Sequence, residues 1–386
     1  MSTNANPRVI PPRIERFLAD EDPPTPCLVI DLEVVEERYR ALASALPGAD
    51  VYYAVKANPS PGVLARLAAL GSRFDVASPA EVALCLAAGV DPSRISYGNT
   101  IKKRRDIADA FAAGVRLFVV DSEEELGKVA AAAPGATVLV RILVSGEGAD
   151  WPLSRKFGCE PDMAVDLLVQ AATLGLAPAG VSFHVGSQQK EPQRWDPALQ
   201  RAALVLRQAR AAGVGVNTVN IGGGFPANYS TDVPDISAYG RAIEAALRRH
   251  LADVPVRVLC EPGRYIAGDA GVLRASVVLV SRKGYGDEHR WVYLDIGRFG
   301  GLAETEGEAI RYQLVTSQDG GPVGPVILAG PTCDSVDVLY ERTRYRLPLT
   351  LTEGDTVDIL AAGAYTAAYA SAGFNGFGPL TVHELG

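Results

Sequence analysis

The stretch VYYAVKANPSPG, residues 51–62, decides how this chain is read. Its first five residues are β-branched, aromatic or small, the composition of a buried strand. The run ends on Lys56, and Asn58 and Pro59 stop it. An ammonium group at the end of so apolar a segment is out of place unless that end faces a site.

Seven further runs share this texture: RFDVA (73–77), ISYG (95–98), RLFVV (116–120), TVLVRI (137–142), GVSFHV (180–185), TVNIGG (218–223) and VRVLCEP (256–262). Ala- and Leu-rich helical stretches lie between them. Val63, Leu64, Leu67 and Leu70 recur at helical spacing, and Gly71 stands where a C-cap belongs. Ser122, with Glu125 three residues on, reads as a capping box. Eight strands alternating with helices are the count of an α/β, TIM-type (β/α)8 barrel, assigned to residues 28–271.

The first 26 residues carry six prolines, so 1–27 reads as an extended lead-in that joins the second domain. Past residue 271 the helical periodicity fades. VLRASVVLVSRKGY, RWVYLDIG, PVILAG and RYRLPLTLTEGDTVDIL read as strands joined by Gly, Pro and Asp turns, so 272–386 is expected to be a mostly antiparallel β domain.

The chain's 386 residues carry a formal net charge of −8, which argues against a nucleic-acid or anionic-membrane surface. The one basic run, Lys102-Lys103-Arg104-Arg105, reads as the solvated start of a helix. No apolar run reaches membrane-spanning length, and MSTNANPRVIPPR lacks the hydrophobic stretch of a secretion signal. Five cysteines without CxxC spacing and four isolated histidines offer neither a disulfide framework nor a metal site. A reducing cytoplasm is the expected compartment.

In a (β/α)8 barrel the chemistry sits at the C-terminal ends of the strands. Those ends carry Lys56, Asp75 with Ser78, Asn99, Asp121, Arg141, His184 with Ser187, Gly222-Gly223-Gly224, and Glu261 with Arg264. A single charge at a strand end is usually only where the chain meets water, and a GGG is often only a tight turn. Eight such ends in succession point to a site. A glycine turn, the Ser187 hydroxyl and the Arg264 guanidinium suit a phosphate. A partly desolvated lysine can condense with an aldehyde. Glu261 can pair with a protonated ring nitrogen, and His184 offers a flat face to a ring. Phosphate, aldehyde and pyridinium nitrogen belong together in pyridoxal 5′-phosphate.

The motifs YYAVKANP, FDVASPAEV, KFG (156–158), FHVGSQ, GGGFP, EPGRY, FGGLAETEGEAIRY, GPTCDSVD and GAYTAAYASAGFNGF run in order from residue 51 to 377. This set resembles the fold-type III, alanine-racemase-like pyridoxal-phosphate decarboxylases, and within them the ornithine/lysine decarboxylases. The resemblance implies decarboxylation of L-ornithine or L-lysine to putrescine or cadaverine. It implies that Lys56 holds the cofactor's aldehyde carbon, Glu261 its ring nitrogen and His184 its ring face. Ser187, Gly223, Gly224, Gly263, Arg264 and Tyr365 would surround the phosphate, with Asp75, Glu81 and Arg141 supporting the ring.

By the same resemblance Cys333 is the acid that reprotonates the α-carbon, and Asp334 meets the substrate's distal amine, with Tyr365 close by. Both Cys333 and Asp334 would come from the neighbouring subunit of a two-fold dimer. Glu308 matches a second substrate carboxylate, although Glu304 and Glu306 lie near enough for a shifted register. Two carboxylates for one ammonium would select diamino acids. Diaminopimelate decarboxylase and other diamino-acid decarboxylases of this fold remain alternatives, as does a cofactor-binding or regulatory relative without turnover.

Overall fold

In the computed structural model, which describes residues 9–151 and 156–386, the eight runs become eight parallel strands of one closed barrel. They are Ala49–Ala54, Arg73–Val76, Ile95–Tyr97, Leu117–Val120, Thr137–Arg141, Ala177–Ser182, Thr218–Asn220 and Arg257–Cys260. The last strand closes on the first, with Leu259 opposite Asp50 and Cys260 opposite Val51. Tyr52, Val119, Leu139 and Leu259, from four of these strands, pack into one buried cluster. A barrel filled in this way is a core and not a pore, so chemistry is left to its ends.

The helices follow their sequence signals. Pro61–Ala69 opens on a proline, whose missing N–H costs nothing in a first turn, and buries Val63, Leu64 and Leu67. It stops at Gly71, whose φ of +88° favours glycine. The Ser122 hydroxyl accepts the Glu125 N–H at 3.3 Å, as a helix cap should. The Glu125 carboxylate does not close the box; it turns to Lys102 at 3.1 Å and Lys128 at 2.5 Å.

Lys102 thereby departs from the solvated helix start read from its basic run. The helix begins at Arg104, and Lys102 is buried, donating from Nζ to the carbonyls of Asn99 and Val119 at 2.7 Å each. Burial pushes its ammonium down to about 8. Charge counting in sequence cannot see carbonyls at neighbouring strand ends waiting for a donor.

The chain forms two compact units. One is the barrel, Glu36–Pro226 with Pro234–Tyr265; the other collects the described residues up to Val35, Ala227–Val233 and Ile266–Gly386. The second unit is built on an eight-stranded sheet in the order Leu314–Thr316, Thr356–Leu360, Gly271–Ser281, Arg290–Leu294, Val323–Ala329, Val338–Pro348, extended by Cys27–Asp31 and Thr381–Leu385. Most pairings are antiparallel. Arg290–Leu294 runs parallel to Val323–Ala329, as does Cys27–Asp31 to Thr381–Leu385.

Two boundaries differ from the sequence reading. Residues Pro12–Glu21 form an α-helix where an extended lead-in was expected. Its prolines fall at the start, where they are tolerated, and Ile14 and Leu18, one turn apart, are buried against Cys27, Val29, Val272 and Leu360. The strand Cys27–Asp31, read as the start of the barrel domain, pairs instead with Gly271–Ser281. All five of its residues are buried, so no alternation signals which sheet owns it. Among the described residues no helix is long and apolar enough to cross a membrane.

Candidate active site

The first barrel strand ends at Ala54, and Lys56 sits two residues beyond it on a single 3₁₀ turn, Val55–Ala57. It is the one exposed residue between Val51 and Asn58. The turn is held from both sides. Tyr53 donates its hydroxyl to the Asn58 carbonyl at 3.0 Å, and Ala54 N–H donates to the Pro262 carbonyl at 2.9 Å. The second bond ties the lysine segment to the segment that carries Glu261.

Asp75, in the second strand, lies among Glu261, Lys56, Glu81 and Arg141. It is buried, and its Oδ1 accepts no hydrogen bond from the protein. Burial first, then the Glu261 carboxylate, push its carboxyl well above the usual range, against the pull of Lys56 and Arg141. Room for this group comes from Gly98, where a Cβ would stand 2.1 Å from Asp75 Oδ1. Glu81 turns back to accept the Ala77 N–H at 2.6 Å, tying its helix start to the Asp75 strand end.

His184 accepts the Gly186 N–H on Nδ1 at 3.0 Å. Burial, then Arg141, Lys56 and Arg264, hold its pKa well below the usual histidine value. The ring is therefore neutral, with its one proton on Nε2, and offers an uncharged face. Arg141 ends the fifth strand with its guanidinium 5.2 Å from the centre of the Phe157 ring.

The glycine turn leaves no room for side chains. A Cβ on Gly222 would lie 2.1 Å from the Phe183 carbonyl, on Gly223 2.5 Å from the Glu261 carbonyl, and on Gly224 2.5 Å from the Gly186 carbonyl. Gly222 and Gly224 also have φ of +66° and +108°. Behind the turn, buried Trp195 donates to the Ile221 carbonyl at 3.2 Å and stacks on Phe225. Arg264, 3% exposed, donates to the Ser187 hydroxyl. Gly263 is buried between Glu261 and Arg264. A bare glycine turn, a buried cation with a hydroxyl, a neutral ring face and an unsatisfied carboxylate fit a phosphorylated aromatic cofactor such as pyridoxal phosphate.

The other predicted residues belong to the β unit. Cys333 is exposed, with its backbone N–H 3.0 Å and its Sγ 3.3 Å from Asn375 Oδ1. Asp334 accepts the Val336 N–H at 3.0 Å. Their loop is anchored by buried Asp337, which accepts from Arg298 N, Thr332 N and Thr332 Oγ1 at 2.8, 3.1 and 2.7 Å. Tyr365 is half-buried with φ +57°, a strained setting for a bulky residue. A cavity of about 200 Å³ lies beside Pro331 and Thr332, lined by Phe299, Phe374 and Phe377. It is smaller than the roughly 300–1,000 Å³ of ordinary cofactor pockets.

Glu308 does not stand as the substrate carboxylate that the motif implied. It is 5% exposed, and its two oxygens accept four hydrogen bonds, from the backbone N–H groups of Glu341, Arg342 and Thr343 and the Thr343 hydroxyl, at 2.6–2.9 Å. A carboxylate offers about four such sites, so none is left for an ammonium. These bonds outweigh burial and hold its pKa down to about 2. Glu306, the neighbour in a shifted register, pairs with Arg298 at 2.6 Å.

Sequence reading passed over Asn220, Gly98 and Asp337. Asn220 closes the seventh strand two residues before the glycines, and a polar side chain there was the available signal. Gly98 and Asp337 act through close approach and loop anchoring, which leave no mark in composition.

Barrel and cradle together define a pyridoxal-phosphate-binding protein of the barrel type. The sequence model of the "Pyridoxal-dependent decarboxylase, pyridoxal binding domain" matches residues 32–268, and this chain belongs to that family. Its cofactor is pyridoxal 5′-phosphate. A lysine/ornithine decarboxylase of Selenomonas ruminantium is 39% identical over 355 residues, 92% of this chain and 88% of that protein. The crystal structure of the Vibrio vulnificus lysine/ornithine decarboxylase complexed with cadaverine superposes with a TM-score of 0.87 at 36% identity, over 98% of this chain and 100% of that one. The Paramecium bursaria Chlorella virus arginine decarboxylase bound to agmatine gives 0.87 at 28% identity, over 96% and 100%.

Proposed function

We propose that this chain decarboxylates a basic L-amino acid, L-ornithine, L-lysine or both, releasing CO2 and the diamine putrescine or cadaverine. The observation that carries the reading is the gathering of Lys56, Asp75, Arg141, His184 and Glu261 at one end of a single barrel, with the Ser187–Arg264 pair and the glycine turn. The likeness to lysine/ornithine decarboxylases over nearly the whole chain supports the substrate class.

Pyridoxal phosphate supplies an electron sink for the pair left behind when a carboxylate departs. Lys56 would hold its aldehyde carbon and Glu261 its ring nitrogen. Ser187, Gly223, Gly224, Gly263, Arg264 and Tyr365 would hold the phosphate. The neutral His184 ring would offer its face to the pyridine and would add no charge to compete with Glu261. Asp75 and Arg141 fix the field beside the ring. Cys333 delivers a proton from Sγ to the α-carbon, and Asp334 binds the distal ammonium, now without Glu308. Active sites shared across a homodimer belong to this reading, the Cys333–Asp334 loop of one protomer serving the barrel of the other. The barrel thus carries the cofactor and the β domain the substrate loop. Five free cysteines accord with a cytoplasmic enzyme.

The test is a panel of ornithine, lysine, arginine and diaminopimelate compared by kcat/KM. Ornithine or lysine is expected to lead. A protein that shows the cofactor's visible band but releases CO2 from no basic amino acid would overturn the proposal. One methylene separates ornithine from lysine, a discrimination of roughly 1–3 kcal/mol.

A further inference from the structure

Asn220 ends the seventh barrel strand and is 1% exposed, deep for a carboxamide. Its Nδ2 donates to Glu261 Oε1 at 2.5 Å, and its Oδ1 accepts the Gly222 N–H at 2.9 Å. A third bond closes the ring of contacts, from the Glu261 N–H to the Gly222 carbonyl at 2.8 Å. One side chain therefore bridges the carboxylate and the glycine turn.

We propose that Asn220 is a positioning residue that locks the Glu261 carboxylate in register with the glycine turn, so that ring nitrogen and phosphate of one cofactor are met together. This deepens the function proposed above and rests on it.

The chemistry of the carboxamide makes the bridge specific. Gly222 presents a donor and Glu261 presents an acceptor, so the amide has one productive orientation and no flipped alternative. A leucine of similar size would leave the buried Gly222 N–H without a partner. An aspartate would set a second acceptor against Glu261. The bridge also works against a local pull: the Glu261 carboxylate lies in the field of the Arg141 guanidinium, toward which an untethered side chain would turn. Hydrogen bonds to charged groups hold geometry in this way where a low dielectric strengthens both attraction and repulsion.

The experiment is a double-mutant cycle of Asn220→Ala and Glu261→Ala, read as the dissociation constant of pyridoxal phosphate titrated into apoprotein without substrate. Asn220→Ala alone is expected to weaken binding on the order of 10- to 100-fold. In the Glu261→Ala background the same change is expected to cost less than about a third of that factor, because the acceptor it positions is gone. In turnover, Asn220→Ala should lower kcat with KM nearly unchanged. Equal factors in both backgrounds, or an unchanged dissociation constant, would overturn the proposal. If Asn220→Ala does not fold, Asn220→Ser, too short to reach Glu261, reads the same arm. Wild-type apoprotein that binds no pyridoxal phosphate would instead sink the functional reading itself, so the two failures are separable.

Discussion

Two N–H bonds run from the guanidinium of Arg264 to the hydroxyl oxygen of Ser187, from Nε at 3.2 Å and from Nη2 at 3.0 Å. They join segments that follow the sixth and the eighth barrel strands. Because the oxygen accepts from the cation, its own proton is left to donate elsewhere, and an anion beside Arg264 is the natural acceptor. Ser187→Ala should therefore weaken pyridoxal phosphate on the order of 10-fold, measured by titrating apoprotein. An unchanged dissociation constant would remove Ser187 from the cradle.

Lys56 is exposed within an otherwise buried run, on a turn pinned by Tyr53 and Pro262. The two bonds that pin the turn come from the Tyr53 hydroxyl and the Ala54 N–H, so Lys56→Ala should keep its melting temperature. The cofactor's visible band and CO2 release should disappear together. Turnover retained in the variant would refute the role.

Glu308 is a brace, with a testable cost. Glu308→Ala strips the acceptor from three backbone N–H groups and a hydroxyl, and should destabilise the protein by about 2–4 kcal/mol in denaturant melts. The ratio of ornithine to lysine turnover should stay the same. The pH dependence has a fixed sign. The folded carboxyl is lowered from 4.5 to about 2, so the unfolded chain takes up the proton first as acid is added. The stability this group contributes is full above about pH 4.5 and is lost as pH falls toward 2. The melting-temperature gap between wild type and Glu308→Gln should narrow over that range. A large change in substrate ratio with unchanged stability would return Glu308 to the pocket.

Shared sites predict complementation. Lys56→Ala and Cys333→Ala proteins are each inactive in this reading, but a mixed dimer keeps one intact site. Mixing them should restore up to about a quarter of wild-type activity, the share expected of random exchange between two-fold dimers. No recovery despite demonstrated subunit exchange would place Cys333 in its own protomer's site.

The barrel was legible because each strand carries its own local signal and strand order fixes which ends share a face. From that alone Lys56, Asp75, Arg141, His184 and Glu261 could be assigned to one rim. Helix caps at Gly71 and Ser122 were likewise local. Glu308 shows the opposite case. Its motif position matched a substrate carboxylate, yet its partners Glu341, Arg342 and Thr343 lie more than thirty residues away and fill every lone pair.

The sequence by itself determined the barrel, its reactive end and the cofactor, since periodicity and residue type are properties of short segments. Tertiary structure alone decided which polar groups were already satisfied. It sent Cys27–Asp31 into the β sheet, buried Lys102 beneath strand-end carbonyls, and set Asn220 between Glu261 and Gly222. The reason is physical: a hydrogen bond depends on distance and direction between groups far apart in the chain, and no local pattern encodes either.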